Sequence, residues 1–118
     1  MSIQKWHIYR ANLDPVIGSE QGKTRPVLVI SEDAVNSLLN IVNVLPLTTQ
    51  KPGRRIYPNE ALFEAGKFGQ PNASIVLCHQ IRTLDKRRLS HEYGIISDFA
   101  KQEEILDAPC FQLGIARQ

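Results

Sequence analysis

Cysteine is scarce. Cys78 and Cys110 are the only two in 118 residues. They form no CxxC pair, and with three dispersed histidines they do not have the spacing of a zinc site. Two cysteines leave one disulfide open, but not the cysteine-dense framework of a small secreted scaffold. Long hydrophobic runs are also missing. No stretch approaches the ~20 apolar residues that span a bilayer. Met1 to Asn12 contains no apolar run of signal-peptide length. There is no internal repeat, no low-complexity segment and no GxxxxGK[ST] phosphate loop. The expectation is a reducing, cytoplasmic setting away from membranes.

Net charge is small as well: +2, with pI ≈ 8.7. That excludes a histone-like polycation. The sum hides a division. Up to Arg88 there are 12 basic and 7 acidic residues, a net of +5; from Leu89 there are 2 and 5, a net of −3, and the two add to the stated +2. The basic excess gathers in Lys51, Arg54 and Arg55, and again in Arg82, Lys86, Arg87 and Arg88. Such clusters suit a phosphate-tracking surface, or form an ordinary solvated face. Apolar residues are 42% and charged residues 22%, which is a globular composition. The length fits one domain over residues 1–118, since domains cluster around ~100–150 residues.

The chain reads as mainly β with short helices. Lys5 to Leu13 is a strand, followed by a polar loop through Gly18 to Thr24. Val27-Leu28-Val29-Ile30 is a buried strand. Ser31 stands as the cap of a short helix bracketed by Asn36 and Asn40. Ile41 to Thr49 is a strand in which Pro46 predicts an edge or a bulge. Ile56 to Phe63 is a weaker strand, and Ser74 to Leu84 a third strong one. Phe99, Leu106, Cys110 and Leu113 predict one helical face, which Pro109 should kink or divide. Short uneven strands with late helices suggest a small half-open barrel.

Arg25 lies where the polar loop meets a rigid strand. A guanidinium there offers paired donors that match two phosphate oxygens, or makes a surface ion pair. Thr48-Thr49-Gln50 ends a strand with two hydroxyls and an amide. Alternation puts Thr48 with Val42 and Val44, and Thr49 with Leu45 and Leu47. It also puts His79 on a face with Ile75, Leu77 and Ile81, as a core residue or as a proton carrier near neutral pH.

Gly18-Ser19-Glu20-Gln21-Gly22, Arg25-Pro26-Val27-Leu28-Val29-Ile30-Ser31, Pro46-Leu47-Thr48-Thr49-Gln50 and Gln80-Ile81-Arg82-Thr83-Leu84-Asp85-Lys86-Arg87-Arg88-Leu89 resemble, in order and spacing, the MazF/PemK family of toxin endoribonucleases. The resemblance implies a small SH3-like (CcdB/PemK-type) barrel with a C-terminal helix, acting as a homodimer. It implies a metal-independent, cofactor-free ribonuclease that cuts single-stranded RNA within a short sequence, leaving a 2′,3′-cyclic phosphate and a 5′-hydroxyl. It also implies a cognate antitoxin as partner. On this match Arg25 and Thr48 are catalytic candidates, with Glu20 as a carboxylate that accepts a proton or fixes the arginine. Ser19, Gln21, Lys23, Thr49, Gln50, Arg54, Arg55 and Arg82 are RNA-binding candidates. The chain also departs from the pattern. Trp6-His7 replaces a usual Gly-Asp, His79 replaces a usual acid, and Leu77 stands where some members have an arginine. His79 is therefore a candidate base in place of the carboxylate, and Trp6, His7 and His79 are candidate base readers if they line the groove. Two other readings stay open: a CcdB-like protein that blocks gyrase, and a folded but inactive member.

Overall fold

A computed structural model describes residues 2–117. Seven strands, β1 (His7–Asn12), β2 (Thr24–Val29), β3 (Ile41–Thr49), β4 (Glu60–Phe63), β5 (Ser74–Leu77), β6 (Arg82–Asp85) and β7 (Leu89–Ile95), form an antiparallel sheet in the order β4-β5-β3-β2-β1-β7, with β6 also paired to β3. Helix α1 (Asp33–Leu38) links β2 to β3, and α2 (Phe99–Leu113) ends the chain. This is the expected mainly β barrel-like fold with a C-terminal helix, and the sheet does not close.

Alternation explains the dense apolar strands. Ile8, Leu28, Leu45 and Leu47 point to one core, under Ile105 and Ala108 of α2. Tyr9, Ala11, Val27, Val29, Val42 and Val44 point to a second core on the opposite face, with Leu84. Both faces of β2 and β3 are buried, so these strands cannot alternate with polar residues.

β3 is the central strand, which corrects the edge expected from Pro46. The carbonyl of Asn43 accepts from Ile30 on the β2 side. Alternation then turns the nitrogen of Pro46 to the other side. There β6 covers residues 41–44 and β5 covers 47–49, leaving Leu45 and Pro46 without a ladder partner. The missing N–H falls in that gap. The same gap corrects the strand expected over Ser74 to Leu84. The path is right, but five residues, 77–81, face Leu45 and Pro46, and the excess folds into a 3₁₀ turn, Cys78–Gln80. His79 therefore leaves the strand alternation.

Other expectations also shift. Ser31 does not cap α1; that position is Glu32, without a side-chain bond. Ser31 Oγ instead donates to Oδ1 of buried Asn36 at 2.5 Å and accepts the Asn43 N–H at 3.0 Å, tying α1 to β3. The weaker strand begins at Glu60 rather than Ile56, so Pro58 precedes it. β7 was not expected, because Ser90-His91-Glu92 dilutes its apolar pattern. α2 runs undivided through Pro109. The carbonyl that Pro109 cannot bond, Ile105 O, lies 3.9 Å from the Cys78 thiol. α2 buries Ile105, Ala108 and Pro109, a stripe rotated from the expected one; Phe99 and Leu113 are exposed. Asp98 caps the helix, accepting from Ala100 and Lys101.

Gly94 in β7 sits against the backbone of the 64–73 loop. A Cβ there would lie 2.6 Å from Phe68 O. No helix among the described residues is long and apolar enough to cross a membrane.

Candidate active site

The β1–β2 loop is held at its base and near its tip. At the base, Leu13 N–H donates to Lys23 O at 2.9 Å and Lys23 N–H to Asp14 Oδ1 at 2.8 Å. Arg82 Nη1 donates to Leu13 O at 2.6 Å, and Arg88 Nη1 to Asp14 O at 2.8 Å. Nearer the tip, the Gln80 amide clasps the loop backbone. Its Nε2 donates to Ser19 O at 3.2 Å, and its Oε1 accepts from Gln21 N–H at 3.3 Å. Gln80 can do this because the 3₁₀ turn lifts it out of the strand. Gly22 is tightly nested; a Cβ there would lie 2.6 Å from Val16 Cγ2.

Arg25 emerges from β2 and folds under this loop. Its Nε donates to Gly22 O at 2.9 Å, and among the described residues its two terminal nitrogens have no partner. It lines a cleft of about 170 Å³ with Lys23, Thr48, Thr49, Gln70 and Ser74. Thr48 and Thr49 also line a second cleft of about 420 Å³, with Ser19, Gln21, Lys51, Arg54 and His79. The two clefts adjoin at Thr48 and Thr49, on either side of the groove region at the end of β3. Gln21 Oε1 is buried without a partner among the described residues.

Around His79 the structure assembles the Glu60 carboxylate, the Arg54 guanidinium and the Tyr57 N–H. Glu60 opens β4 opposite Leu77 of β5, two residues before His79. Its side chain is 1% exposed. Oε1 accepts from Arg54 Nη1 at 3.0 Å and Tyr57 N–H at 3.1 Å; Oε2 accepts from Arg54 Nη2 at 2.6 Å and lies 3.2 Å from His79 Nε2. Burial pushes the Glu60 carboxyl up, but the bonds from Arg54, Tyr57 and His79 outweigh it and hold the group below its ordinary range. Glu60 escaped the sequence reading. Its one signal was a carboxylate opening an apolar strand.

The structure brings together Arg25, Thr48, Thr49, Lys23, Ser19, Gln21, Arg54 and His79. It does not bring the rest. Glu20 turns back on its own loop, accepting from Ile17 N–H at 2.7 Å, and lines neither cleft. Gln50 donates its amide to Arg54 O, Arg55 is exposed, and Arg82 braces the loop base. Trp6 and His7 line neither cleft; His7 Nδ1 pairs with Glu92. Both cysteines are free thiols, and burial pushes Cys78 up to about 12. Among the described residues no three His, Cys, Asp or Glu side chains converge as metal ligands.

Comparison with known proteins finds relatives in sequence and in fold. Endoribonuclease EndoA of Bacillus subtilis (strain 168) is 37% identical over 98 residues, 83% of this chain and 84% of that protein. A crystal structure of MazF from Deinococcus radiodurans superposes with a TM-score of 0.81 at 28% identity, covering 98% of this chain and 99% of that one. A MazE–MazF crystal structure from the same organism gives 0.72 at 26% identity, covering 98% and 99%. The model of the PemK-like, MazF-like toxin of type II toxin–antitoxin systems matches residues 4–108, and with the fold and the relatives in agreement the chain belongs to that family.

Proposed function

We propose that this chain, one toxin domain over residues 1–118, is an endoribonuclease that cuts single-stranded RNA in the groove. The observation that supports it most is Arg25 beside Thr48, its guanidinium free toward the cleft. In transesterification the RNA 2′-oxygen attacks the adjacent phosphorus and the P–O5′ bond breaks. His79 takes the 2′-hydroxyl proton, and solvent protonates the departing 5′-oxygen. Negative charge gathers on the phosphate oxygens, where Arg25 donates paired hydrogen bonds and Thr48 one more. Lys23 and Lys51 give the groove a positive wall for the flanking phosphates.

The partners follow from the surface. An antitoxin covers the groove. A second copy of the chain is a further partner, and Phe99, Phe111, Leu113 and Ile115 are exposed apolar side chains available to such a contact. The cytoplasm, where RNA is available and thiols stay reduced, is the working compartment. The test is digestion of a long transcript in chelator, followed by end mapping. Discrete cuts bearing 2′,3′-cyclic phosphate and 5′-hydroxyl ends are expected. RNA binding with no cut product would place the chain among non-catalytic members of the fold.

A further inference from the structure

The Arg54–Glu60–His79 cluster contains a buried carboxylate for which the cleavage scheme has no use. Its four acceptor positions are filled by the two Arg54 nitrogens, the Tyr57 N–H and His79 Nε2. A fixed carboxylate only accepts hydrogen bonds. The nitrogen facing it must therefore carry the hydrogen, which leaves the lone pair of neutral His79 on Nδ1. Among the described residues nothing bonds Nδ1, and the ring lines the groove beside Thr48.

We infer that Glu60 is a positioning residue that fixes His79 as the Nε2–H tautomer and so presents Nδ1 as the base atom in the groove. Arg54 acts one step further out, locking the carboxylate by two parallel bonds so that it cannot turn away. The logic is that of a base oriented by a third group. The inference rests on the cleavage reading for its consequence, but not for the tautomer itself.

The cluster also fixes what Glu60→Gln should do. Arg54 Nη1 and the Tyr57 N–H both donate toward the Oε1 position, so they claim the amide oxygen. The amide NH₂ then takes the Oε2 position, where it donates to His79 Nε2 and displaces Arg54 Nη2, which donates to that position in the wild type. The tautomer flips to Nδ1–H, and the groove-facing lone pair is lost. The flip reports the hydrogen bond itself, and a fall in kcat at nearly constant KM separates a positioning role from a merely structural one.

The experiment is ¹⁵N correlation spectroscopy of the histidines in the full chain, wild type and Glu60→Gln, with kcat and KM measured on one RNA. Wild-type His79 is expected as Nε2–H and the variant as Nδ1–H, with kcat about 100-fold lower, the scale of losing a general base, and KM changed less than about threefold. An Nδ1–H wild type, or an Nε2–H variant, overturns the inference. So does a flipped tautomer with unchanged kcat. If the variant does not fold, the wild-type spectrum still decides. If the spectra are as expected and the wild type cuts no RNA, the proposed function fails and the positioning by Glu60 stands.

Discussion

Arg25→Ala separates catalysis from stability more sharply than any other single change. In the folded chain the guanidinium makes one hydrogen bond, from Nε to Gly22 O at 2.9 Å, and is half-buried at the cleft wall. A bond from a charged donor contributes a net ~1.5–3 kcal/mol, toward the low end for a half-exposed group such as this one. The side chain has no carboxylate partner to strand when it is removed. The melting temperature should therefore fall by only a few degrees. In the transition state the same group faces a phosphate gathering charge inside a cleft. Losing one such fixed donor costs ~100- to 1,000-fold in rate, about 3–4 kcal/mol. Single-turnover cleavage of a defined RNA in chelator reads this directly. Arg25→Lys makes the argument stricter. It keeps the charge but not the paired planar donors, so it should recover part of the loss and leave a deficit of roughly tenfold. Two results would refute the reasoning. One is equal cutting by wild type and Arg25→Ala. The other is a lost activity that tracks a large loss of stability, because Arg25 would then be a structural residue.

Three further outcomes test the surrounding structure. Gly94→Ala should destabilise by ~1–3 kcal/mol, because its Cβ meets the Phe68 backbone rather than a movable side chain; denaturant unfolding measures it, and the cleavage rate well below the melting temperature should not change. Gln80→Ala removes the loop clasp at Ser19 and Gln21, so amide exchange at Gln21 should quicken and KM should rise several-fold with little change in melting temperature. Acid should weaken the fold partly through Glu60, whose folded carboxyl lies below the ordinary 4.5 because Arg54, Tyr57 and His79 bonds outweigh burial. The unfolded chain then binds the proton more readily, so this stabilisation is present above pH 4.5 and drains away as pH falls toward the folded value. Thermal melts of wild type and Glu60→Gln should converge as the pH drops through that range; a constant gap would show that Glu60 is not the group responsible.

The legible parts of this protein were those where one segment contains its own instruction. Val27 to Val29 and Ile41 to Thr49 read as strands because both faces are apolar, and the structure buries both faces. Arg25 and Thr48 stand out only through the resemblance to the family; the strand pattern by itself reads them equally well as a surface ion pair and an ordinary strand threonine. The errors share one cause. Pro46 predicts an edge or a bulge; the edge fails because the missing N–H falls in the gap between β6 and β5, an interruption of the ladder inside a central strand. The same gap absorbs residues 77–81, so alternation failed at His79 although the strand path was right. In α2, Phe99, Leu106, Cys110 and Leu113 form the more apolar stripe, yet the sheet takes the smaller Ala108 and Pro109 with Ile105. Close approach to a sheet favours small side chains, and hydrophobicity alone does not encode that distance.

Glu60 shows the limit most clearly. Its partners are six and nineteen residues away, with no spacing rule to connect them. A buried carboxylate is tolerated only when its charge and lone pairs are all answered. Arg54 answers the charge, and Arg54, Tyr57 and His79 together answer the lone pairs. That completeness gives the pairing its direction. With Arg54 already supplying the charge, neutral His79 needs only to donate Nε2–H, so its other nitrogen stays available to the groove. A carboxylate on the adjacent strand therefore accompanies His79, and the two residues are best altered together. Glu60→Gln paired with His79→Ala should lose no more activity than His79→Ala alone, because Glu60 acts through the imidazole. Additive losses in that cycle would mean that Glu60 reaches the RNA by another route.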